Sequence, residues 1–243
     1  MNISGTPGRP LNAAAPCVDY ATTILAAFGT LAALMGRERS EIGQEVRATL
    51  LGTAFAVFNS HFIEQGVTAL DRIGSGNRVQ NASPSDVFET RDGNVLTHAG
   101  GNGLFQRWAR LIGEEEKWTC DRRSATDQSR GHHRDLICER MATWCAARTT
   151  DDAIAELNAA GLAAGAVLTP QQAIGNPQME AMELLPQIGF PGMPVAGLPL
   201  HFSRNPSGIR SAPPQHGEHS DVNLRELGYA DERLQLRESG IVA

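Results

Sequence analysis

Residues 17–35 constrain this chain more than any other stretch. They are apolar and rich in alanine and leucine, and a single carboxylate, Asp19, stands near their head. Alanine and leucine favour a helix, and apolar residues on all sides predict one packed closely on several faces. Gly36 and the polar run Arg37-Glu38-Arg39-Ser40 mark its end, so the helix is predicted over 17–36. Asp19, Thr22, Thr23 and Thr30 lower the hydropathy, which favours a buried helix over a bilayer span. Asp19 has an ordinary explanation, because an aspartate at a helix start caps free N–H groups and meets the positive end of the dipole. A nucleophilic carboxylate is the sharper alternative.

The 243 residues are enough to bury a real core in one or two domains. A formal charge of −6, with no basic stripe interleaved with aromatics, argues against nucleic acid or an anionic membrane as main partner. Cys17, Cys120, Cys138 and Cys145 form no Cys-x-x-Cys pair. Cys138 and Cys145 would share one helix face as small apolar residues. The N-terminus lacks a basic and apolar leader pattern, so reduced thiols and a cytoplasmic location are expected.

After a Pro- and Gly-rich start, the first helix is followed by an apolar pattern from Gln44 to about Gln65 that suits a second helix, with a short opening strand left undecided by period alone. Residues 66–84 read as a polar linker. Val87-Phe88-Glu89-Thr90 and Asn94-Val95-Leu96-Thr97 flank Asp92-Gly93, the signature of a hairpin whose turn uses a positive φ. A short helix over 104–112 turns Phe105, Trp108 and Ile112 to one side, and residues 113–134 read as an irregular charged surface segment. Residues 136–147 are amphipathic, with Ile137, Met141, Trp144 and Cys145 inward. Thr149 caps a helix that stops at Gly161. A strand is expected within 162–168, a helix from Thr169-Pro170, and extended strands and turns over 186–214. The tail carries two short helices, one capped by Ser220 and one over 231–238. The alternation of helices and strands gives an α/β or α+β class.

The histidines are scattered. His132-His133 lack metal-ligand spacing, and His216 and His219 have no further recognisable ligand, so no metal is expected. Neither a Gly-x-Ser-x-Gly elbow nor a P-loop occurs. Gly100-Gly101-Asn102-Gly103 lies between a strand and a helix, where N–H groups could receive an anion, although a plain turn has the same composition.

Several stretches together resemble the class III CoA-transferase family, of the carnitine and formyl-CoA transferase type. They are Val18-Asp19-Tyr20-Ala21-Thr22 with Gly43-Gln44-Glu45-Val46, Gly76-Asn77 leading to Asp86-Val87-Phe88-Glu89-Thr90-Arg91-Asp92-Gly93, and Gly165-Ala166-Val167-Leu168-Thr169-Pro170 with Asn176-Pro177-Gln178. Gly197-Leu198-Pro199-Leu200-His201-Phe202-Ser203, Ala212-Pro213-Pro214, Gly217-Glu218-His219-Ser220 and Leu224-Arg225-Glu226-Leu227-Gly228-Tyr229 complete the series. The pattern departs at Ala166 and Arg47, where the family has proline and commonly an acidic residue.

The resemblance covers only the family's middle and C-terminal portions. It implies an α/β protein with part of a large CoA-binding domain in 1–70, a small α+β domain with linker in 71–185, and a return segment in 186–243. Asp19 matches the family's nucleophile, which passes CoA from an acyl-CoA thioester to a carboxylic acid through an aspartyl anhydride and an aspartyl-CoA thioester. Coenzyme A is then a co-substrate, and an interlocked homodimer or a separate N-terminal subunit is the expected partner. A glycine loop commonly supplies oxyanion donors in the family. The alternatives are a 2-methylacyl-CoA racemase of the same fold or a truncated non-catalytic subunit. The racemases usually follow the aspartate with glycines, so Tyr20-Ala21-Thr22-Thr23 favours the transferase branch.

Overall fold

A computed structural model describes residues 5–12, 14–186, 195–205, 208–209 and 211–242. It divides into two compact units, Met1–Val167 and Leu168–Ala243.

The first unit opens with a small ribbon of β1 (Gly5–Thr6) and β2 (Arg9–Pro10), then α1 (Cys17–Ser40). Helix α1 runs past Gly36 and ends where Glu41 turns left-handed at φ 58°. Its threonines suit the helix because their hydroxyls bond back to the preceding turn, Thr22 to the Val18 carbonyl at 2.7 Å and Thr30 to that of Ala26 at 2.8 Å. The expected close packing does not form among the described residues. None of α1 is buried, and Phe28 and Ile24 are 70% and 68% exposed. Gly29 does admit one neighbour, since a Cβ there would lie 3.0 Å from Val46. Residues 41–49 are irregular, and the expected second helix is two, α2 (Leu50–Val57) and α3 (Asn59–Thr68). Thr49 caps α2 by accepting from the Gly52 N–H at 3.1 Å. By length and composition α1 could cross a membrane, with mean hydropathy 1.5 over its most apolar window.

The hairpin forms with the expected pairing. β3 (Ser85–Glu89) and β4 (Asn94–His98) are antiparallel, with Phe88 opposite Val95, and β5 (Ala164–Ala166) adds to the other edge of β4. The turn differs in its physics. Residues 90–93 close it through a Thr90 N–H to Gly93 carbonyl bond of 2.9 Å, and Gly93 does not take a positive φ. Glycine is required there for room, because a Cβ would come 2.9 Å from the Thr150 hydroxyl. Asp92 uses that closeness to accept from both the N–H and the hydroxyl of Thr150, at 2.7 and 2.9 Å.

Against one face of this sheet pack α4 (Asn102–Leu111), α7 (Arg134–Ala146) and α8 (Thr150–Ala159). Phe88, Val95, Trp108, Ile137, Met141, Cys145 and Leu157 form the core, as the spacing of the apolar residues predicts. Segment 113–134 departs from expectation. It holds α5 (Glu115–Cys120), a 3-10 turn (Arg122–Ser124) and α6 (Asp127–His132), and it buries Trp118, Ser124 and Arg130. The Trp118 ring centre lies 5.3 Å from that of Trp108, so the segment is helical rather than irregular and sends one indole into the core, while most of its residues remain at the surface.

The described residues of the second unit form four short helices. α9 (Pro170–Ile174) starts with a complete capping box from Thr169 and Gln172, and α10 (Pro177–Ala181) is capped by Asn176. α11 (Ser220–Glu226) and α12 (Arg233–Glu238) form the tail. Ser220 is the first helical residue of α11 rather than its cap, and His219 stands at the cap position. Among the described residues of 186–214 no strand forms, and the expectation for 187–194 lies outside them.

Candidate functional site

Asp19 is the third residue of α1. Pro16 stands at the N-cap, and no side chain bonds the end of the helix. The capping explanation for Asp19 therefore fails, while its place in the positive field of the first turn remains. The Asp19 side chain is exposed and has no hydrogen-bond or ion-pair partner among the described residues. A carboxylate in that condition has its lone pairs available to an electrophile.

The glycine loop 100–103 joins β4 to α4. Gly101 has φ +81° and ψ 154°, a region that only glycine enters freely, and a Cβ on Gly100 would meet the His98 ring at 2.5 Å. Helix α4 begins without a side-chain cap. The N–H groups of Asn102, Gly103 and Leu104 have no protein acceptor among the described residues, the ordinary condition of an uncapped first turn.

One carboxylate does reach the loop. The Gly101 N–H lies 3.0 Å from each oxygen of Asp127. Asp127 in turn accepts from Arg130, at 2.6 Å from Nη2 and 3.2 Å from Nε. Arg130 is 2% exposed, donates to the Asn102 side chain at 2.8 Å and to the Ser124 carbonyl at 2.6 Å, and lies 4.5 Å above the Phe105 ring. Burial pushes the Asp127 carboxyl up, but its bonds to Arg130 and Gly101 outweigh that and hold it below the ordinary range. Sequence reasoning missed this cluster because it lies in the segment read as irregular. The signal was present in Thr126-Asp127, the pairing of cap and first-turn acid that located the helix after Thr149.

A separate cleft of about 440 Å³ is lined by Ser60, His61, Glu64, Arg72 and Arg78 among others. Its charges are already matched, since Arg72 holds Glu64 through two bonds of 2.5 and 2.7 Å and also reaches Gln80. Asp19 does not line it. His132 and His133 are exposed, and the His133 ring meets the Ser129 carbonyl at 2.9 Å. No group of three or more His, Cys, Asp or Glu side chains is placed to hold a metal among the described residues.

The profile of CoA-transferase family III matches residues 1–220, and the chain belongs to that family. It is 28% identical over 240 residues to a succinyl-CoA--D-citramalate CoA-transferase of Chloroflexus aurantiacus, covering 96% of this chain and 60% of that protein. A succinate--glutarate CoA-transferase of Agrobacterium fabrum is 27% identical over 231 residues, covering 93% and 58%. The crystal structure of a CAIB/BAIF family protein from Brucella suis superposes with a TM-score of 0.73 at 25% identity, covering 93% of this chain and 60% of that one. The mixed α/β architecture is thus part of the fold of that family, and the chain spans about 60% of these relatives' lengths.

Proposed function

We propose that this chain is the part of a CoA-transferase that carries the attacking carboxylate, and that Asp19 is that carboxylate. Coenzyme A is the co-substrate and arrives as an acyl-CoA thioester. Asp19 attacks the thioester carbonyl, the C–S bond breaks, and CoA thiolate leaves behind a mixed aspartyl anhydride. The thiolate then attacks the Asp19 carbonyl, the donor acid departs as a carboxylate, and an aspartyl-CoA thioester remains. An acceptor carboxylate runs both steps in reverse, giving acceptor-CoA and free Asp19. Covalent catalysis of this kind divides one hard exchange into easier ones and keeps the thioester's energy from water.

The observation that carries this reading is Asp19 itself, exposed and unpartnered in the first turn of α1 in a chain of this family. Loop 100–103 is the candidate donor to the developing oxyanions, since its uncapped N–H groups need no reorganisation to receive one. Several relatives are named for succinyl-CoA, which makes succinyl-CoA the donor to test first. We read the apolar face of α1 as covered by protein, in an interlocked homodimer or by a separate N-terminal subunit. The domain division 1–70, 71–185 and 186–243 and a cytoplasmic location belong to the same reading.

With the rest of the fold supplied, succinyl-CoA and hydroxylamine should leave a hydroxamate on the Asp19 peptide, found by mass spectrometry. Asp19→Asn should lower transfer by about a thousandfold or more, because one residue of a covalent unit removes most of its rate. Exchange of the α-proton of a 2-methylacyl-CoA without an acceptor acid would favour the racemase reading instead. No adduct and no exchange would leave the chain as a non-catalytic subunit.

A further inference from the structure

Among the described residues Arg130 is the one charged side chain that is buried. Taking a guanidinium out of water is strongly unfavourable unless its donors are met. Here each of the three nitrogens has a partner, and the partners converge on one place. Nη1 donates to the Ser124 carbonyl, Nη2 to the Asn102 side chain and to Asp127, and Nε again to Asp127. Asp127 passes the restraint on by accepting the Gly101 N–H. The cluster therefore ties α6 and the turn before it to the loop that opens α4.

That loop needs a tie. Glycines carry more backbone freedom into the unfolded and partly ordered states than any other residue. Asn102 and Gly103 are exposed, and α4 has no side-chain cap of its own to fix its first turn. We infer that Asp127 and Arg130 are positioning residues for CoA transfer, clamping Gly101 so that the N–H groups after it are fixed before an oxyanion develops. This rests on the reading of loop 100–103 as the oxyanion donor. Preorganisation matters because a donor displaced by about 1 Å costs roughly a hundredfold in rate.

Asp127 is the better residue to alter, since its side chain is 43% exposed and its loss leaves no large cavity. In the assembled, active enzyme, Asp127→Ala should speed hydrogen exchange at the Gly101 amide by about tenfold. The same variant should lower kcat by about 10- to 100-fold, with KM for succinyl-CoA changed less than about twofold. Asp127→Asn keeps one oxygen acceptor and should recover part of both effects. Arg130→Lys should follow Asp127→Ala in direction. The clamp is overturned if Asp127→Ala leaves kcat unchanged, if kcat falls only with the folded fraction measured by circular dichroism, or if Gly101 exchange does not move. A wild type that forms no Asp19 adduct overturns the parent reading, whereas an adduct-forming wild type with a fully active Asp127→Ala overturns the clamp alone.

Discussion

Glu114 gathers three donors on one carboxylate, Lys117 at 2.8 Å, Arg140 at 2.6 Å and the Trp118 indole N–H at 2.9 Å. The Lys117 bond is the largest influence, and with Arg140 and Trp118 it overcomes burial and brings the carboxyl down to about 2 from its ordinary 4.5. A folded-state value below the unfolded one means the contribution to stability is complete above pH 4.5 and is lost as the pH falls toward 2. Glu114→Gln should therefore unfold in less urea than wild type at pH 7, and the gap should close between pH 4.5 and 2. The Cys145 thiol is pushed the other way, up to about 12, by burial in the core. These residues show what a sequence can and cannot disclose singly. Cys145 was legible as a core residue from its spacing with Cys138 and Trp144, because apolar burial follows helical period. Glu114 was legible only in part, because Lys117 and Trp118 stand three and four residues on and are within reach along one helix, whereas Arg140 comes from α7 and only the fold brings it there.

The helices α4, α7 and α8 were legible because each carries its own apolar stripe and, in α8, its own cap. Leu157 sits on the inward side of α8 and is fully buried. Leu157→Ala should destabilise the fold by about 2–5 kcal/mol, read from denaturant midpoints, since it removes transfer energy and leaves a cavity. Segment 113–134 escaped for a physical reason. Its inward side is held by one indole and one buried guanidinium, Arg130, while its other charged residues stay exposed or half-buried, so the pattern reads as surface although part of it reaches the core. The hairpin was found for a partly mistaken reason. Asp92-Gly93 does mark the turn, but through the capping bonds of Asp92 to Thr150 and the room left by Gly93 rather than through a positive φ. Asp19 was visible as an unusual charge, yet the residues proposed to organise the loop that serves it were hidden in the segment that reads as irregular and charged.

Over the whole molecule, the hydrophobic pattern overstated what this chain does alone. Leu51, Val67 and Phe28 stand 71%, 81% and 70% exposed, and α1 to α3 present an apolar surface that their sequence would place in a core. Periodicity reports that a face is to be covered and says nothing about which polypeptide covers it. The same openness surrounds Asp19. An anhydride is a short-lived species, and its fate is a race between a second nucleophile and solvent. On so open a position water wins that race by concentration alone. With Asp19 as the proposed nucleophile, the chain by itself should thus turn any acyl group it captures into free acid and free CoA, with acceptor-CoA absent on chromatography. Supplying the rest of the fold should invert that product ratio. On the proposed reading, the bare flank of α1 and the thrift demanded of Asp19 become one requirement: whatever walls covered the helix would also keep the bond from being squandered.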